Sequence, residues 1–328
     1  MRIFSGIQPT GAMHIGNYLG AVRNWVELQK HNECLFCVVD LHAITVPQDP
    51  GMFSKTTMEK VIELLALGID PSVSALFVQS HVKEHTELAW ILNTVTPMGE
   101  LERMTQYKDK SKKYKASVNA GLLNYPILMA SDILLYQTEA VPVGEDQNQH
   151  LEFTRMVAKK FNGRYGATFK EPKAVLPDLG ARIMSLEDLK KKMSKSDSAE
   201  SQIKIFEEPP LIRKKISGAV TDAGKEIRYD PVKKPGISNL LAIYSLFGEI
   251  AMQDAEKKFK TSGYAGFKKA LADLLVEKLE PFRKKKKELE NREVYIKEIL
   301  KKGSAKAASL ARFTMENVRK RVGFLELS

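Results

Sequence analysis

Short apolar runs alternate with amphipathic stretches through the first half of the chain. Residues 2–7 (RIFSGI) and 34–39 (CLFCVV) read as buried strands, and between them Ile15, Leu19, Val22 and Val26 recur at helical spacing. A helical pattern over 56–67 and a strand over 75–80 (ALFVQS) continue the alternation. Alternating strands and helices call for right-handed crossovers and a parallel sheet covered on both faces. This predicts a doubly wound, Rossmann-like α/β domain over residues 1–187.

Residues 101–116 are polar and basic without a clean period, and much of this stretch is expected in a mobile surface segment. Then GLLNYPILMASDILLYQ (121–137) reads as an apolar helix with Pro126 near its start, AVPV (140–143) as a strand and GEDQNQHLEFTRMVAKKF (144–161) as a helix. The stretch SLEDLKKKMSKSDSAE (185–200) is too polar to pack on any face and is expected to be a loop. Helical patterns near 238–248, 265–280 and 286–301 predict a C-terminal helical domain over residues 188–328.

Charge divides the chain unevenly. Its 328 residues carry 51 Lys and Arg against 40 Asp and Glu, and the net charge is −1 over residues 1–187 but +12 over residues 188–328. The helical part is therefore the expected surface for a polyanion, because each neutralised phosphate releases counterions. Two cysteines make no disulfide framework, no apolar run spans a bilayer, and the start MRIFSGIQPTG lacks the regions of a signal peptide. A cytoplasmic protein with no membrane partner is expected.

Three places hold candidate chemistry. GIQPTGAMHIGN (6–17) lies between the first strand and the first helix, where helix N–H groups meet phosphates. It contains no GxGxxG, and the P-loop spacing of Gly11 and Gly16 is followed by Asn17 and Tyr18, which disfavours a P-loop kinase or GTPase. KMSKS (192–196) sets Lys192 and Lys195 around hydroxyls, two ammonium groups suited to a developing pyrophosphate. On the helix at 121–137, Tyr125, Met129, Asp132 and Tyr136 share a face. A carboxylate among apolar residues needs a donor, supplied either by the protein or by a flat apolar ligand with one N–H.

Other constellations are expected to be structural. Cys34 and Cys37 point to opposite faces of a strand, and His81 and His85 lack both HExxH and a third ligand. No metal site is expected, the two histidines are assigned to the surface, and Trp25 and Trp90 to packing.

In order along the chain, GIQPTG, HIGNYLGA, DLHAIT, GELERMTQYKDKS, LMASDILLY, VPVGEDQNQH, GARIMSL and KMSKSD resemble the class I aminoacyl-tRNA synthetases, and among them the bacterial-type tryptophanyl-tRNA synthetases. The resemblance runs from Phe4 to about Ser196, continues more weakly through 219–241 and thins beyond. It implies a ligase that joins tryptophan to Mg2+-ATP as tryptophanyl-adenylate, releases pyrophosphate, and transfers tryptophan to the 3′ end of tRNA(Trp). It also implies a homodimer whose basic helical part meets the anticodon. In tyrosyl enzymes, the nearest relatives, the first loop and the GEDQ segment read differently.

Residue by residue, the resemblance places the indole N–H on Asp132, with Phe4, Gln8, His42, Tyr125, Met129, Val141 and Val143 around the tryptophan. It gives ATP to Gln8, Pro9, Thr10, Gly16, Asn17, Gly144, Glu145, Asp146, Gln147 and Ile183, and to Lys192, Met193, Ser194, Lys195 and Ser196. His14, Asn17, Lys110, Lys192 and Lys195 are implied to act by charge and positioning, with Asn17 in place of a second imidazole. Because a ligand-facing acid does not hold the core, Asp132→Asn is expected to weaken tryptophan selection at little cost to folding.

Overall fold

The structure is a computed structural model and describes residues 1–108, 118–144, 147–175, 182–195 and 197–325. In chain order these residues form β1 (Arg2–Ile7), α1 (Ile15–Asn17), α2 (Arg23–Leu28), β2 (Glu33–Val38), α3 (Asp40–Ala43), α4 (Pro50–Ala66), β3 (Ala75–Val78), α5 (Glu84–Asn93) and α6 (Met98–Glu102). There follow α7 (Ala120–Leu134), β4 (Ala140–Pro142), α8 (Asn148–Tyr165), β5 (Lys173–Val175), α9 (Pro209–Gly218), α10 (Pro235–Gly248), α11 (Met252–Phe259), α12 (Gly263–Glu290) and α13 (Glu293–Val322).

All strand pairs are parallel, in the order β3-β2-β1-β4-β5. The order reverses between β1 and β4, so the carboxyl ends of these two strands flank the switch point at which open α/β sheets bind ligands. The Rossmann-like α/β fold expected from the alternation is therefore present. The residues that follow β1, Gln8 to Thr10, and those that follow β4, Val143 and Gly144, come from its two sides. The edge strand β5 was not foreseen; it is short, and Lys173 and Ala174 are exposed.

The chain forms two compact units, one of residues 1–10, 24–177 and 292–328 and the other of residues 11–23 and 178–291. These are not the consecutive segments 1–187 and 188–328 expected from composition. In the first unit α13 returns to the sheet, where a Cβ on Gly303 would lie 2.0 Å from the Leu76 carbonyl oxygen. Only glycine allows that approach. Ala307, Ala311, Met315 and Val318 then bury the apolar stripe of α13 in the same core as Phe77 and Phe161, and Arg319 pairs with Glu87 of α5. Of the expected basic excess, +5 lies on residues 292–328 and so belongs to the sheet unit.

The second unit packs α9, α10 and α12 through Ile212, Ile216, Leu240, Leu241, Phe267 and Leu271, all buried. Residues 11–23 join it because Ile15 N–H donates to the Ile203 carbonyl and Ile205 N–H to the Met13 carbonyl, both at 2.9 Å. The Tyr18 ring adds contacts to Phe247 and Phe282. The stretch expected as an unpacked loop is irregular as expected but not unpacked: Met184 and Lys192 form an antiparallel bridge, and Ile183, Leu186 and Met193 are buried. Leu186 and Met193, which flank the exposed Lys190 to Lys192, supply its inner face. Similarly, Leu101 and Met104 are buried at the start of the stretch expected to be a surface segment. Among the described residues no helix is long and apolar enough to cross a membrane.

Candidate active site

Asp132, on α7, is 1% exposed and lies at the centre of a buried polar cluster in the first unit. Its Oδ1 accepts from Gln79 Nε2 at 2.7 Å and meets His85 Nδ1 at 2.6 Å, and its Oδ2 meets His42 Nε2 at 2.8 Å. His42 comes from α3 just beyond β2, Gln79 from the turn after β3 and His85 from α5, so three sheet-connected segments converge on one carboxylate. Burial is the largest single influence and pushes the Asp132 carboxyl up, but the His85 charge and the hydrogen bonds from both histidines outweigh it, leaving it below its ordinary value. A carboxylate has about four acceptor positions. Three are taken by these donors, and the fourth, on Oδ2, has no donor among the described residues.

Apolar residues surround this acid. Phe4 stacks on Tyr136 with ring centroids 5.6 Å apart, and Val141 and Val143 are each 4% exposed at the end of β4. Met129 is half-buried one helical turn from Asp132, and the Tyr125 ring meets His42 edge-on at 6.3 Å. The Tyr125 hydroxyl meets His150 Nε2 at 2.9 Å, and burial raises its pKa. Among the residues that flank the switch point, Pro9 is buried, whereas Gln8, Thr10, Gly144 and Gln147 are half-buried.

The second unit holds the other two motifs together. His14 and Asn17, the first and last residues of HIGN, cap each other: Asn17 N–H donates to His14 Nδ1 at 3.2 Å and His14 N–H donates to Asn17 Oδ1 at 3.3 Å. With Nδ1 accepting, the neutral ring carries its proton on Nε2. A Cβ on Gly16 would lie 3.0 Å from His14 Nδ1 and 3.7 Å from Ile183 Cβ, so this glycine keeps the backbone open beside the ring. Gly11 adopts φ +66°, and a Cβ there would lie 3.1 Å from the Lys195 stem. Met193 N–H donates to the Ile183 carbonyl at 3.0 Å, Lys192 is exposed, and Ser194 and Lys195 are half-buried. Lys110, Glu145, Asp146 and Ser196 lie outside the described residues.

Comparison with known proteins follows the same lines. Residues 1–280 match the family described as tRNA synthetases class I (W and Y). The chain belongs to this family. It is 51% identical over 325 residues to a tryptophan–tRNA ligase of Caldanaerobacter subterraneus subsp. tengcongensis, covering 99% of this chain and 98% of that protein. Among solved structures it is similar to the tryptophanyl-tRNA synthetase of Mycoplasma pneumoniae, with a TM-score of 0.90 and 34% identity over 99% of this chain and 98% of that one. It is also similar to the Campylobacter jejuni enzyme complexed with ADP and tryptophan, with a TM-score of 0.84 and 36% identity over 99% and 100% of the two chains.

In this class I synthetase the residues that sequence reasoning missed are His85 and Gln79. His85 was expected at the surface but is fully buried, held by Asp132 on one ring nitrogen and by the Tyr136 hydroxyl at 2.7 Å on the other. Its local sequence carries no sign of this, because its partners come from α7 and the residues just beyond it; a buried acid in need of donors was the one available hint. Trp25 packs as expected, stacked on Phe36, whereas Trp90 is 74% exposed and lies outside the core.

Proposed function

We propose that this chain activates tryptophan with ATP and transfers it to tRNA(Trp). The observation that carries the choice of tryptophan is the buried Asp132 carboxylate, which retains one acceptor position in apolar surroundings. An indole supplies one N–H and a flat apolar body. Phenylalanine leaves the acceptor without its donor, so selection against it is built into binding. In this reading Phe4, Gln8, His42, Tyr125, Met129, Val141 and Val143 surround the side chain.

For ATP we assign Gln8, Pro9, Thr10, Gly144, Glu145, Asp146 and Gln147 of the first unit. From the second we assign Gly16, Asn17, Ile183, Met193, Ser194 and Ser196. Gly16 supports this assignment because a side chain there would crowd His14 and the space a base needs. His14 Nε2–H and the Asn17 amide are donors suited to phosphate oxygens, and Lys192 and Lys195, with Lys110, supply the positive charge that the departing pyrophosphate requires. The tryptophan carboxylate attacks the α-phosphorus in line, and pyrophosphate leaves with the Mg2+ that the nucleotide brings. These residues act by positioning and charge, without a covalent intermediate on the protein.

The lysine-rich surfaces of α9 to α12 are the proposed contact for the tRNA anticodon, supported by the net charge of +7 on residues 188–291. We place the protein in the cytoplasm, where ATP and tRNA are available and the Cys34 and Cys37 thiols stay reduced. We also propose a homodimer. Its support is the apolar surface of Trp90 and Ile44, 74% and 57% exposed, beside a cavity of about 350 Å3 lined in part by Leu128 and Tyr125.

The test is amino-acid-dependent pyrophosphate exchange with ATP, run with tryptophan, tyrosine and phenylalanine in turn and without tRNA. Exchange with tryptophan alone is the expected result. Exchange driven by tyrosine overturns the reading of Asp132, and no exchange with any of the three overturns the activation chemistry.

A further inference from the structure

The second unit contains a buried ion pair that touches none of the proposed substrate-binding residues. Lys215 on α9 is 5% exposed and Glu207, just before that helix, is 8% exposed; they meet at 2.5 Å. A pair taken out of water returns little net stability, because the desolvation of both charges offsets their attraction. Its partners suggest a geometric purpose. One Glu207 carboxylate oxygen takes Lys215, and the other accepts the main-chain N–H of Lys204 at 3.2 Å. Lys215 also donates to the Gln202 carbonyl at 3.0 Å, and Arg283 of α12 donates to the Glu207 carbonyl at 3.3 Å.

Residues 202–207 are thus held at both ends by side chains from two helices. The stretch between those anchors is the one that holds HIGN: Ile203 and Ile205 make the two main-chain bonds to Ile15 and Met13, with Lys204 directly opposite His14. Met13 and Ile15 are themselves fully buried, so His14 cannot move without this strand.

We propose that Lys215, Glu207 and Arg283 are positioning residues that fix His14 and Asn17 for adenylate formation, acting through the backbone of residues 203–205. The inference rests on the roles given to His14 and Asn17 above. Loss of the clamp loosens the donors aimed at the phosphates and leaves the tryptophan-selecting cluster, which is built from other elements, as it was.

The experiment compares Lys215→Met, Glu207→Gln and the charge-conserving Lys215→Arg with the unchanged chain, in tryptophan-dependent pyrophosphate exchange and in amide hydrogen exchange. For Lys215→Met and Glu207→Gln, kcat is expected to fall roughly tenfold or more with the tryptophan KM changed less than about twofold, and Lys215→Arg to restore most of kcat. The Ile15 and Ile205 amides are expected to exchange at least about tenfold faster, with the Leu271 and Leu275 amides of α12 unchanged. If a single variant leaves too little folded protein, the double variant Lys215→Met/Glu207→Gln, which buries no lone charge, takes its place. A lowered melting temperature with wild-type kcat and wild-type exchange at Ile15 and Ile205 overturns the clamp. If the unchanged chain itself gives no tryptophan-dependent exchange, the proposed activity fails, and the amide measurement alone decides the clamp.

Discussion

His85 bridges Asp132 and Tyr136, with one ring nitrogen 2.6 Å from the carboxylate and the other 2.7 Å from the hydroxyl. The acid assigned to the substrate is therefore also a structural acceptor for Gln79, His42 and His85. This changes what its removal does. Asp132→Asn was expected to cost folding little, but an amide cannot accept from all three donors, and a hydrogen bond to a charged group contributes about 2 kcal/mol. We expect Asp132→Asn to lower stability by about 2 kcal/mol and to weaken discrimination of tryptophan over phenylalanine in the exchange assay. Urea unfolding within about 0.5 kcal/mol of the unchanged chain contradicts the structural share of this role.

Acid dependence follows from the same cluster. The Asp132 carboxyl lies below its ordinary value in the folded chain, because the two histidines outweigh the effect of burial. A depressed carboxyl contributes stability that is present above its unfolded value of about 3.9 and is lost as pH falls through the lower folded value. The stability gap between the unchanged chain and Asp132→Asn is therefore expected to be open at pH 5 and to close below about pH 4. Urea midpoints at pH 5, 4 and 3 measure it, and a gap that widens on acidification reverses the sign argued here.

Gly303 offers a test confined to packing. A methyl group there meets the Leu76 carbonyl at a distance no side chain tolerates, so α13 must lift from β3 or the strand must bend. Gly303→Ala is expected to destabilise the sheet unit by about 3 kcal/mol, on the scale of overpacked cores, although alanine is the better helix former. Thermal unfolding is the measurement. A variant as stable as the unchanged chain means that α13 does not rest on the Leu76 backbone.

That contact also marks the limit of what the sequence discloses. Central parallel strands are covered on both faces, so β1 and β2 stand out as apolar runs, whereas β5 is a short edge with exposed Lys173 and leaves no such trace. The motifs GIQPTG, HIGN and KMSK were legible as a set, because together and in this order they carry the family resemblance. The docking of α13 was not, since it depends on one glycine meeting a carbonyl from a distant strand. His85 shows the same limit within the site: its burial is decided by Asp132 and Tyr136, and nothing adjacent to it in sequence reports either partner.

Gly11 links a backbone conformation to a proposed phosphate ligand. It sits at φ +66°, where an L side chain costs roughly 1 kcal/mol, and a Cβ would press on the Lys195 stem at 3.1 Å. Gly11→Ala is expected to lower stability by about 1 kcal/mol and, by displacing Lys195, to reduce kcat of pyrophosphate exchange several-fold with the tryptophan KM unchanged. A raised tryptophan KM at wild-type kcat places Lys195 away from the departing pyrophosphate.

Trp90 is large, apolar and 74% exposed, and it lines the same pocket as Ile44, which is 57% exposed. Core packing does not explain it, since most of its surface is exposed. If two copies meet here, the indole is a central anchor of the kind whose truncation costs 2 kcal/mol or more. Trp90→Ser is then expected to weaken the dimer at least about thirtyfold, because each 1.4 kcal/mol is a factor of ten in Kd. Analytical ultracentrifugation across a dilution series reads this directly. A dimer of undiminished affinity in Trp90→Ser moves the interface to another surface, whereas a chain that is monomeric before the substitution removes the proposed homodimer altogether.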